Sequence, residues 1–184
     1  MTLPIVFGMS VVVLLVMVAA VYNRLVKFSV RTDSAWADID VQLKRRHELI
    51  PNLVATVKGY ASHESTTFEN VTRLRSQAME AQGTAQRAVA EGQLTAALRG
   101  LFAVAEGYPQ LRASENFLSL QKSLSEVEDA LQNARRYYNA VVRDLNTAVQ
   151  SFPTNLVAGL FRFQSRAFFE VATTAERQPA EVKF

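Results

Sequence analysis

Residues 114–152 read SENFLSLQKSLSEVEDALQNARRYYNAVVRDLNTAVQSF. Apolar positions fall at Phe117, Leu120, Leu124, Val127, Leu131, Ala134, Tyr138, Val141, Leu145, Ala148 and Phe152, and the steps alternate 3, 4, 3, 4 without a miss. A period of 3.5 holds one narrow seam against a neighbouring helix and implies slight left-handed supercoiling. Ser114 is the expected N-cap, Glu115 suits the first turn, and Pro153 marks the stop.

A second seam lies upstream. Trp36, Leu43, Ile50 and Val57 recur every seven residues, with Ile39, Leu53 and Tyr60 at the partner positions. Arg46 occupies one seam position, and its long stem is expected to cover apolar surface with the head in water. Pro51 falls inside the pattern, where it removes one backbone bond and crowds the carbonyl of His47. The period resumes in phase on both sides, which predicts a kink rather than a break. Between the two seams, Thr66-Thr67-Phe68-Glu69 has capping-box spacing and leads into Phe68, Val71, Leu74 and Ala78. After Gly83-Thr84, a stripe carries Leu94, Leu98, Leu101, Ala105 and Tyr108, and Gly107 with Pro109 signals its end. These patterns predict helices of about 40, 16, 23 and 38 residues, and short connections favour antiparallel neighbours in a four-helix-type, all-α bundle. Unequal lengths leave seam surface on the long pair, which predicts a homo-oligomer with coiled-coil character.

The N-terminus reads differently. Leu3 to Val21 is uncharged, and at helical rise it spans about 28 Å, close to the hydrocarbon thickness of a bilayer. The expected anchor side chains are Leu3, Ile5, Val6, Phe7, Val11, Leu14, Leu15, Val16, Val18 and Val21. A cleavable signal peptide would want a basic n-region and a shorter apolar core, although Val18-Ala19-Ala20 offers small residues for a peptidase. A buried core helix would show a polar face. A single membrane span fits best, and it can run on as one helix into the aqueous part. Tyr22 follows at the interface, then Arg24, Lys27 and Arg31, which by the positive-inside rule puts residues 22–184 in the cytoplasm, with an aqueous domain on the far side as the alternative. The organisation expected is an anchor over 1–22, a helical bundle over 23–153 and a tail over 154–184.

From Phe152 onward the chain holds Phe152, Phe161, Phe163, Phe168, Phe169 and Phe184, six of eleven Phe, with Arg162 and Arg166 interspersed. A fourth helix returning to the membrane would put residues 154–171 near lipid, with Phe161, Arg162, Phe163, Arg166, Phe168 and Phe169 as the interfacial set. The alternative is that the tail packs on the bundle or on another subunit. Residues from Glu176 onward are expected to fray.

Chemistry has little foothold in the 184 residues. There is no cysteine, so disulfides, thiol nucleophiles and thiolate metal sites are excluded. Twenty Lys and Arg against seventeen Asp and Glu is too small an excess to argue for nucleic acid. His47 and His63 are each followed by Glu, but neither has zincin or di-metal helix spacing, so both are expected as solvated helix-face residues. Lys44-Arg45-Arg46 likewise reads as a solvated basic face, and Asn52, Asn116, Asn139 and Asn155 beside the seams as mostly exposed. Neither a phosphate-cradling Gly loop nor a Gly-x-Ser-x-Gly elbow appears. No catalytic residue, metal ligand or cofactor is assigned, and the expectation is a protein that is not an enzyme.

The stretch AWADIDVQLKRRHELIPNLVATVKGYASHE at 35–64 closely resembles the LemA family of bacterial membrane-anchored proteins, as does YNRLV at 22–26. LFAVAEGYPQLRASENFLSLQ at 101–121, ARRYYNAVVRDLNTAVQSFP at 134–153 and AFFE at 167–170 are similar to later family blocks. Asp144-Leu145-Asn146 departs from the Tyr-Asn pair common there. The resemblance implies one N-terminal span and a long-helix bundle, with no catalytic residues to carry over. It also implies membrane-shaping roles, through a magnetosome-forming member, and a membrane metalloprotease or TPM-domain protein as partner. With an anchor, long unmatched seams and no reactive constellation, the function expected is self-association and docking of membrane-protein partners. Membrane remodelling by an oligomer is the first alternative, and a signalling helix the second.

Overall fold

The structure, a computed structural model, describes residues 2–170, with side chains from Pro4 onward. Leu3 as an anchor side chain, and the fraying expected from Glu176, fall outside the described residues. Six helices follow in order: α1 (Thr2–Lys58), α2 (Ser65–Glu80), α3 (Thr84–Glu106), α4 (Pro109–Arg112), α5 (Glu115–Gln150) and α6 (Thr154–Leu160). No strand occurs among the described residues. The two middle helices have the expected 16 and 23 residues, and α5 has 36. The chain is all-α.

The span and the first seam are one element. α1 runs for 57 residues, about 85 Å, from the apolar N-terminus through Pro51 to Lys58. Pro51 has no N–H to offer the carbonyl of His47, four residues back, and that group would stay unpaired. Arg75 of α2 supplies the missing donor, with Nε 2.8 Å from the His47 oxygen. A side chain from the neighbouring helix therefore repairs the helix at its weakest point.

The helix is divided between two compact units. The first comprises residues 1–38 and 134–167, and the second comprises 39–133 with the chain from Phe168. In the first unit Leu25 packs with Ala148 and Val149, while Trp36 meets Tyr138 with ring centroids 5.3 Å apart. Ascending numbers on α1 thus meet descending numbers on α5, an antiparallel pair. The second unit holds the larger core. Ile50, Leu53 and Val57 of α1 join Phe68, Val71 and Leu74 of α2, Leu94, Leu98 and Leu101 of α3, Leu111 of α4, and Phe117 and Leu124 of α5.

Several expectations need correction. Thr66 does not cap α2: the helix starts at Ser65, with Glu64 before it and no side-chain cap. The α5 seam holds to Ala148, but Phe152 lies beyond the end of the helix and is exposed. Tyr60 is likewise exposed, two residues past the end of α1. Helices α4 and α6 are short, and the repeat pattern gives no sign of them. Gly83 precedes α3 at φ 75°, a left-handed conformation that glycine adopts without a steric cost.

Candidate functional site

Two constellations stand out, one in each unit. In the first unit, residues 4–17 of α1 present apolar side chains outward on every side, with Phe7 70% and Leu15 63% exposed. A helix apolar all round, with nothing among the described residues packed on it, matches a lipid environment. The lower end of this segment is not free. Val18 and Val21 pack with Leu25 against Val157 and Ala158 of α6 and against Ala148, Val149 and Phe163. Both expected anchor residues therefore also take part in a protein contact.

Tyr22 marks the level where the charges begin. Its ring lies 4.7 Å from that of Phe161 and 5.8 Å from that of Phe163, and Arg24 stacks over Phe28 at 5.5 Å. Beyond Phe163 the chain has no regular secondary structure and runs as a strap. Asn146 clamps the backbone of Arg166, accepting from its N–H at 2.8 Å and donating to its carbonyl at 2.9 Å. Tyr138 donates to the carbonyl of Ala167 at 3.0 Å, and the Arg166 guanidinium lies 3.3 Å from Asp33. Asp33 is eleven residues beyond Tyr22, about 16 Å further along the axis. Of the expected interfacial set, only Phe161, Arg162 and Phe163 sit at the level of Tyr22. Arg166 lies well beyond it, Phe168 is partly exposed, and Phe169 is buried at 2%.

The second unit contains a closed cluster of charge. Arg46 is 0% exposed, so its head is not in water. Its Nη1 donates to Glu91 Oε2 at 2.7 Å, and its Nη2 donates to Thr95 Oγ1 at 2.6 Å. Its Nε lies 2.7 Å from Glu128 Oε1, an ion pair whose angle falls short of a hydrogen bond. Glu91, also 0% exposed, uses its other oxygen with His47 Nε2 at 2.8 Å. An ionised carboxylate only accepts, so the His47 proton lies on Nε2. Burial raises the Glu91 carboxyl, but the His47 hydrogen bond, the Arg46 charge and the further His47 and Arg46 contacts outweigh it. The net position is below the ordinary 4.5. Nearby, Arg87 pairs with Asp40.

His47 is thus buried rather than solvated, and of the basic run only Lys44 and Arg45 are exposed. His63, Asn52, Asn116 and Asn155 are exposed as expected, and Asn139 is half-buried. Glu91 was the residue that sequence reasoning missed. It stands three residues before Leu94, in phase with the stripe that continues to Tyr108. An acidic residue at a seam position of one helix and a basic one at a seam position of another is the signal that could have found the pair.

A family model described as the LemA family matches residues 35–184. The chain belongs to the LemA family. Among LemA-related proteins, it is 26% identical over 188 residues to magnetosome protein MamQ 2 of Paramagnetospirillum magneticum, covering 88% of this chain and 69% of the relative. It is 24% identical over 174 residues to magnetosome protein MamQ of Magnetospirillum gryphiswaldense, with coverages of 80% and 64%. Protein LemA of Metamycoplasma hominis is 25% identical over 151 residues, with coverages of 82% and 69%. The matched family region takes in the whole charge cluster and the strap.

Proposed function

We propose that this LemA-family chain is a single-pass protein of the bacterial inner membrane, with residues 22–184 in the cytoplasm, and that it acts without catalysis. Its work is association: with further copies of itself and with membrane-protein partners that dock on its helices. The observation that carries this reading is the continuity of α1. One helix begins as an uncharged apolar segment of bilayer length, exposed over residues 4–17, and runs unbroken into a folded helical unit. Whatever binds the aqueous helices is thereby held at the membrane. Arg24, Lys27 and Arg31, all after the span, support the cytoplasmic orientation. The buried charges support a structural role, because both Glu91 oxygens are taken by Arg46 and His47. A membrane metalloprotease or a TPM-domain protein is the proposed class of partner.

A second reading, an oligomer that remodels the bilayer, draws on the relatives named magnetosome proteins. Crosslinking in intact membranes, followed by sizing and identification of the products, tests the proposal. The expected result is multimers of this chain together with discrete membrane-protein adducts. A chain that stays monomeric and captures nothing contradicts it.

A further inference from the structure

From Leu145 to Phe161 the sequence carries no charge, and this stretch includes the whole of α6. Helix α6 is apolar on two sides. Val157 and Ala158 face inward against Val18, Val21 and Leu25. Leu156 and Leu160, four residues apart, point outward at 64% and 73% exposure, and Phe152, two residues before the helix, is 79% exposed. In water, an outward helix face of this kind would be polar. The contacts with α1 fix its level. Val18 and Val21 are the last residues of the uncharged N-terminal run, so α6 straddles the end of the span. Val18 lies about 10 Å along the axis from Leu25. Tyr22, Phe161 and Phe163 form an aromatic group at that level, and Arg162 follows at once, the order of side chains that suits a membrane boundary.

We infer that the corner between α5 and α6 is itself embedded in lipid, with Phe152, Leu156 and Leu160 entering the leaflet beside the end of the span. The inference rests on α1 being a membrane span and adds a second, non-spanning element in the same leaflet. It moves the lipid contact away from the Phe/Arg run at 161–169, most of which follows the strap away from Tyr22. The occupant is the phospholipid bilayer, because the patch is continuous with the residues that carry the span.

The absence of cysteine makes a direct test available. Full-length chains carrying Phe7→Cys, Leu156→Cys, Leu160→Cys or Gln121→Cys are spin-labelled and reconstituted into phosphatidylethanolamine/phosphatidylglycerol vesicles. Collision with oxygen and with a water-soluble nickel chelate is then measured. The substituted positions are exposed, so packing is preserved, and helical circular dichroism checks the fold. Labels at 156 and 160 are expected to favour oxygen several-fold, as at 7, while the label at 121 favours nickel. If 156 and 160 behave like 121 while 7 is in lipid, the inference fails and the span stands. If both labels are shielded from both reagents, another protein surface covers α6, which also overturns it. If 7 is itself aqueous, the membrane reading fails first.

Discussion

Arg46 and Glu91 sit where their heptads ask for leucine. Each buries a charge that the other offsets, with Glu128 and Thr95 also on Arg46 and His47 also on Glu91. Removing one partner of a buried ion pair leaves an uncompensated charge, which costs about 3–5 kcal/mol, whereas replacing both with apolar residues is often neutral. Glu91→Ala is therefore expected to lower stability by roughly that amount, and Arg46→Met with Glu91→Leu to recover most of it, measured by urea denaturation in detergent. The pH dependence has a definite sign. The Glu91 carboxyl is lower in the fold than its ordinary 4.5, so its contribution is present above that value and is lost as pH falls below it. Thermal melts of the parent chain should weaken as pH drops below about 4.5, and Glu91→Gln should flatten that dependence. An unchanged slope in the variant would assign the acid sensitivity to other carboxylates. Arg46 was visible in the sequence as a seam break, but a lone Arg on a helix looks like a snorkelling side chain. Only the packing of α1 against α3 identifies its counter-charge.

At the scale of elements, periodicity sufficed wherever helices pack by repeating side chains. Phe68, Val71, Leu74 and Ala78 of α2 are all buried, as are Leu94, Leu98, Leu101 and Ala105 of α3. The same signal fails for α6 and the strap. Helix α6 has only seven residues, too few for a repeat; the strap is held through its backbone by Asn146 and Tyr138, and a segment recognised in that way need not show any side-chain pattern. The unbroken course of α1 through Pro51 was half legible: the pattern stayed in phase, but Arg75 as donor to the His47 carbonyl was not foreseeable. A charged donor to an otherwise unpaired carbonyl is worth about 1.5–3 kcal/mol. Arg75→Ala should cost about that much in the parent chain. It should cost distinctly less beside Pro51→Ala, where the new N–H reaches the same oxygen. A double-mutant cycle by denaturation reads the coupling, and strictly additive losses would refute it.

For the whole molecule, family membership and the helical architecture follow from long blocks of sequence, while function depends on where the chain resides. The apolar N-terminal segment and part of the helical core share α1, so the two are covalently one element and the proposed docking surface is held wherever that segment resides. The most direct measurement is alkaline carbonate extraction of membranes from cells making the full chain, with intact mass determined on the fraction that holds it. The account predicts a chain that remains in the membrane pellet and retains its apolar N-terminus. A chain released into the soluble fraction, or cut after Ala20, would contradict it.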